Sequence, residues 1–136
     1  MAAGYSGTPL VRKLGFAPGW RVAVLGGPEQ LETLLGELPD GLAIVRRLAG
    51  RLDAVWLFVV TRRELERRLP AVLRNLPQDG TLWISWPKRA SGVPTDVSEN
   101  VLREVVLPTG WVDIKVAAID DTWSGLRFAL RRELRD

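Results

Sequence analysis

The last third of the chain constrains the fold most. Gly80-Thr-Leu-Trp-Ile-Ser-Trp-Pro87 reads as a strand, and a helix-like segment follows. Trp111-Val-Asp-Ile-Lys-Val-Ala-Ala-Ile-Asp120 and Ser124-Gly-Leu-Arg-Phe-Ala-Leu-Arg-Arg132 then read as two strands joined by a short turn. The helix returns the chain to a parallel neighbour, by a right-handed crossover. The hairpin makes the last strand antiparallel, inserted beside the fifth. Upstream, Asp53-Ala-Val-Trp-Leu-Phe-Val-Val60 is apolar almost throughout, as a parallel strand buried on both faces must be.

The remaining elements alternate with these. Ser6 to Gly15 predicts a short helix, with Ser6 or Thr8 as its cap, Pro9 in its first turn and Gly15 as its terminator. Trp20-Arg-Val-Ala-Val-Leu25 predicts the first strand, broken by Gly26-Gly27-Pro28. Leu31, Leu34, Leu35 and Leu38 recur at helical spacing within Glu29 to Leu38. Leu42-Ala-Ile-Val45 predicts a weaker second strand. Thr61-Arg-Arg-Glu64 has the pattern of a capping box, and Leu65, Leu69, Val72, Leu73 and Leu76 share one helical face behind it. Pro70 lies inside that helix and predicts a kink or a split. Lys88 to Pro94 reads as a polar loop, Thr95 as the cap of a helix to about Leu107, and Pro108-Thr-Gly110 as its end. The expectation is an α/β chain with one three-layer domain over residues 1–136. It has a mainly parallel sheet of about six strands, with residues 1–16 packed on it.

Composition removes several chemistries. The chain has 136 residues with no cysteine and no histidine. Thiolate nucleophiles, cysteine-ligated metals, Ser-His catalysis and the usual general base are therefore absent. No catalytic residue, metal or cofactor is nominated. The start, Met1 to Pro9, lacks an apolar core of the secretory kind, and the longest clear apolar run, Ala54 to Val60, is too short to span a bilayer. The expected compartment is cytoplasmic, with no membrane partner. Among 19 basic residues only Lys13, Lys88 and Lys115 are lysines. Of the arginine groups Arg46/Arg47/Arg51, Arg62/Arg63/Arg67/Arg68 and Arg131/Arg132/Arg135, the second is interleaved with Glu64 and Glu66, as on a solvated helix face, and no nucleic-acid-binding motif accompanies them, so nucleic acid is not the expected partner.

In an open α/β sheet, ligands sit beyond the carboxyl ends of the parallel strands. That edge collects Gly26 and Gly27, Thr61 and Arg62, Lys88 through Asp96, and Asp120, Asp121, Trp123 and Ser124. Lys88, Arg89, Ser91 and Thr95 form a candidate anion-binding group; the alternative is that Ser91 and Thr95 only make turns and caps. Asp120-Asp121 is either a divalent-cation or acid–base pair or a solvated turn. Trp123 is either a stacking wall or packing over the sheet edge. Gly26-Gly27-Pro28 is short for a dinucleotide or S-adenosylmethionine loop, and the second strand runs into Arg46-Arg47 where a ribose-binding acid would stand. The predicted site is Gly26, Gly27, Lys88, Arg89, Ser91, Thr95, Asp96, Asp120, Trp123 and Ser124.

Three motifs carry a resemblance: Gly4-Tyr-Ser-Gly-Thr-Pro-Leu10 with Lys13-Leu-Gly15; Trp86-Pro-Lys-Arg-Ala-Ser-Gly-Val93 with Thr95-Asp96; and Asp113-Ile-Lys-Val116 with Asp120 and Trp123-Ser-Gly-Leu126. With them the chain resembles a bacterial family of unknown function, well represented in actinobacteria, which brings no catalytic residue to carry over. Its order of elements resembles a truncated class I methyltransferase-like Rossmann domain without the cofactor motif. Three readings of function follow. The first is a non-catalytic or regulatory Rossmann-like module binding a small anionic ligand or a protein partner. The second is a minimal methyltransferase-like or nucleotide-using enzyme. The third is a homo-oligomeric structural protein with exposed tryptophan.

Overall fold

A computed structural model describes residues 9–136. The expected caps Ser6 and Thr8, and the motif at residues 4–8, lie outside the described residues. The strands are β1 (Arg21–Leu25), β2 (Ala43–Val45), β3 (Ala54–Phe58), β4 (Thr81–Pro87), β5 (Trp111–Ala118) and β6 (Trp123–Leu130). They form one sheet in the order β2-β1-β3-β4-β6-β5. The first four are parallel, and β6 runs antiparallel between β4 and β5. The chain leaves β1 toward β2 and returns to β3 on the other side of β1. This reversal is a topological switch point, where such sheets open a crevice.

Side chains alternate across each strand, so neighbouring residues feed opposite layers. Ala23, Val55, Leu57, Leu82 and Ile84 meet Leu65, Leu69 and Val72 of α3 (Arg62–Arg74) and Leu102 and Val106 of α4 (Glu99–Val106). Val22, Val24, Trp56, Phe58 and Trp83 meet Leu10 and Val11 of α1 (Leu10–Lys13), its C-cap Leu14, and Leu31 and Leu35 of α2 (Leu31–Leu35). The result is the expected three-layer α/β arrangement. Each buried Leu or Val adds roughly 1.5–3 kcal/mol. The buried indole of Trp56 donates to Ser85 Oγ at 2.8 Å, and that of Trp83 donates to Leu14 O at 2.8 Å. The second bond fastens α1 to the sheet.

Three expectations are corrected. The helix predicted over Glu29 to Leu38 is only Leu31–Leu35; Gly36, at φ 76°, ends it, and Leu38 still packs on the core. The α3 helix is not split at Pro70. Leu65, Leu69 and Val72 anchor it on both sides of the proline, and Pro70 itself is exposed, so the carbonyl it leaves unpaired can meet water. Thr95 does not cap α4: Ser98 does, its Oγ accepting from Val101 N at 3.2 Å. The chain stays extended to Ser98 because Thr95 and Asp96 are drawn elsewhere.

Candidate functional site

The carboxyl edge is built by four connections. After β1, Gly26 takes φ 75°, and a Cβ there would sit 2.9 Å from Phe58 O. A Cβ on Gly27 would meet Val24 Cγ1 at 3.0 Å and the Phe58 ring at 3.1 Å. Both glycines are required because this turn lies directly on the end of β3.

After β3, Thr61 Oγ1 accepts from Glu64 N at 3.1 Å, as the capping pattern predicts. Glu64 Oε1 reaches back one residue beyond the cap, to Val60 N at 3.3 Å. The first amide of α3, Arg62 N, donates to Asp96 Oδ1 at 2.7 Å. The anion at this helix start is therefore the chain's own carboxylate. Thr95 Oγ1 donates to Val60 O and accepts from Val97 N at 3.0 Å. These bonds clamp the connection after β4 onto the connection after β3.

Lys88 N donates to Thr122 O at 2.7 Å, and Pro87 pairs with Trp123, so the end of β4 and the start of β6 are in direct contact. Ser91 Oγ donates to Lys88 O at 2.6 Å and accepts from Val93 N at 3.2 Å. Asp120 Oδ1 accepts from Thr122 N at 2.8 Å and Trp123 N at 2.7 Å, which shapes the β5–β6 turn. The Trp123 ring meets Phe58 edge-on at 4.9 Å. Phe58 in turn packs on Trp56, and Trp56 on Phe16, so an aromatic row leads from this edge under α1. Ser124 is half-buried opposite Trp86, and Arg89 is exposed.

The predicted residues thus gather at one edge, but in different conditions. Ser91, Thr95, Asp96 and Asp120 spend polar atoms on turns, clamps and caps. The side chains of Lys88 and Arg89 carry no such duty, and the half-buried Trp123 ring packs on Phe58. Sequence reasoning missed Ser98, Phe58 as the base of Trp123, and the bond from Arg62 to Asp96. Ser98 was signalled by Glu99 behind it, an acid in a first turn; the two tertiary contacts had no local signal. Among the described residues no cluster of three or more Asp or Glu could hold a metal ion. Trp56, Trp83, Trp86 and Trp111 are buried, and Trp20 and Trp123 are half-buried. The pKa of Arg62 is raised by hydrogen bonds to Glu104 and then Glu66, that of Arg103 by Asp113 first.

Two cavities lie away from the Gly26 loop, Lys88 and Trp123. One, of about 590 Å³, is lined by Pro9, Val11, Phe16, Pro18, Leu38 and Pro39. The other, of about 440 Å³, lies between α3 and α4 at Leu69, Pro70, Leu73 and Val105.

No family model matches the chain, and no curated protein matches it in sequence. Solved structures match its fold. A SAM-dependent methyltransferase from Aquifex aeolicus aligns at TM-score 0.61 and 13% identity, over 88% of this chain and 86% of that one. DhpI, in complex with SAH, aligns at 0.60 and 13%, over 91% and 83%. Magnesium protoporphyrin IX methyltransferase (ChlM) from Synechocystis PCC 6803, with bound SAH, aligns at 0.56 and 11%, over 84% and 75%. The fold is a methyltransferase-like Rossmann fold. At these identities the likeness is one of architecture: the methyltransferase-like sheet is present, with its reversal point and closing hairpin. No helix among the described residues is long and apolar enough to cross a membrane.

Proposed function

We propose that this chain is a methyltransferase-like domain that takes a small ligand across its carboxyl edge, with an S-adenosylmethionine-type nucleoside the first candidate. The observation that supports it is that the Gly26 turn and Trp123 both pack on Phe58, with Lys88 held to Thr122 next to Trp123, beside the strand reversal of a fold shared with methyltransferases. Lys88 would meet negative charge, the Trp123 face would stack on a flat ring, and the Gly26–Gly27 turn would let a ligand approach the backbone. Methyl transfer from a sulfonium needs positioning more than a protein nucleophile, so a chain without Cys or His can support it.

A second reading, a binding module without methyl transfer, has its own support. Exposed Arg46 and Arg47 follow β2 where a ribose would be held by an acid, and the edge carboxylates Asp96 and Asp120 are engaged within the protein. Calorimetric titration with S-adenosylmethionine and S-adenosylhomocysteine separates the two. Micromolar binding that Trp123→Ala weakens tenfold or more supports the first. No nucleoside binding, with a thermal shift from an acyl or phosphate metabolite that Lys88→Ala abolishes, supports the second. If neither class of ligand binds, the carboxyl edge is not a ligand site.

A further inference from the structure

Away from that edge, Lys115 of β5 and Arg127 of β6 stand directly opposite each other in the antiparallel pair. Both lie on the α1 side of the sheet. Lys115 Nζ donates to Lys13 O at 2.9 Å, and a Cβ on Gly15 would lie 3.5 Å from Arg127 Nη1. Cβ atoms of such cross-strand partners are about 5 Å apart, and like charges placed so are destabilising. Lys13, the last residue of α1, is a third cationic residue at this end of the helix.

Among the described residues, no carboxylate forms an ion pair with Lys13, Lys115 or Arg127, whereas Arg46 and Arg68 each have one and Arg62 and Arg103 each have two. Residues 1–8, Met-Ala-Ala-Gly-Tyr-Ser-Gly-Thr, contain no Asp or Glu that could supply the counter-charge. Arg127 is half-buried, its Nε is buried without a partner among the described residues, and its one hydrogen bond among them, Nη2 to Thr81 Oγ1, is long at 3.3 Å. The Lys13 carbonyl engages one of the three N–H groups of Lys115 and leaves two. A solvated surface accounts for scattered cations. It does not account for two of them opposite each other on one sheet face with the guanidinium under-satisfied.

We propose that Lys115 and Arg127, with Lys13 beside them, form a binding site for a phosphate group, separate from the carboxyl edge. Two cations match a dianion better than a single carboxylate does. The guanidinium offers a planar fork and the ammonium a mobile point charge, the usual pair for phosphate oxygens. The ligand is either free phosphate or a phosphate monoester, since both present the same oxygens.

Thermal unfolding tests this, with inorganic phosphate, glycerol phosphate and adenosine monophosphate titrated against sodium chloride at matched ionic strength. Phosphate should raise Tm saturably and more than chloride does. Lys115→Gln should weaken the apparent affinity at least tenfold without lowering the ligand-free Tm, because it also relieves repulsion. The Arg127 Nε–H resonance should move on titration in the wild-type chain. A monoester that binds more tightly than inorganic phosphate identifies the ligand as an ester, and equal affinity identifies the free ion. Equal effects of phosphate and chloride, an unchanged affinity in Lys115→Gln, or a static Arg127 resonance would overturn the site.

Discussion

Single residues here hold positions that a composition count hides. Ser85 is fully buried in β4, and its hydroxyl accepts the Trp56 indole N–H across to β3. Ser85→Ala should leave that N–H unpaired in the core and lower stability by roughly 1–3 kcal/mol in urea unfolding. Gly26→Ala combines a left-handed backbone with a Cβ 2.9 Å from Phe58 O. It should lower stability by at least about 1–2 kcal/mol, so ligand tests belong at Lys88 and Trp123 instead. Lys88→Ala should change stability by less than about 0.5 kcal/mol, as surface substitutions do. Trp123→Ala should lose about 2 kcal/mol, less than a full core truncation because the indole is half-buried. A Lys88→Ala chain that unfolds several degrees early would show that lysine to be structural.

At the scale of elements, the segment from Gly92 to Ser98 ties two helices to the sheet edge. Ser98→Ala should lower stability by about 1 kcal/mol and speed amide exchange at Val101, the N–H that the serine caps. Thr95→Ala should leave Val101 exchange unchanged, because its hydroxyl bridges Val60 and Val97. The reverse pattern would put the cap back at Thr95. Asp96 is the tie between α3 and the following connection, a pairing across 34 positions that no local pattern announces. The raised pKa values of Arg62 and Arg103 have a definite sign. A cation stabilised in the folded state contributes fully below its unfolded pKa and loses that contribution only as pH rises through the folded value. Both values lie far above neutrality, so these networks should leave stability flat between about pH 6 and 9. They should respond to salt, as surface pairs do.

For the whole molecule, the order of the sheet predicts the order of opening. β3 and β4 are buried along their entire length, and β5 is an edge strand with Ile114 53% and Val116 57% exposed. Native-state hydrogen exchange should find β3 and β4 exchanging only with global unfolding, and β5 and the five-residue α2 exchanging by local opening. Protection in β5 equal to that in β3 would point to a partner on that edge. Much of this architecture was legible locally. Continuous apolar runs, helical leucine spacing and glycine turns are short-range consequences of steric and solvation preferences, and they named each strand and the carboxyl edge. The course of α3 through Pro70 was not legible, because it depends on core contacts made after the chain has folded back, whereas the ends of α2 and α4 had local signals in Gly36 and in Ser98 with Glu99. The sequence by itself determined which segments are strands, which faces are apolar, and that no Cys or His chemistry is available. Only the tertiary structure decided that Asp96 fills the start of α3, that Trp123 rests on Phe58, and that Lys115 faces Arg127. Those pairings join residues 12 to 65 positions apart, and their geometry is set by the packing of the sheet rather than by any preference of the residues themselves.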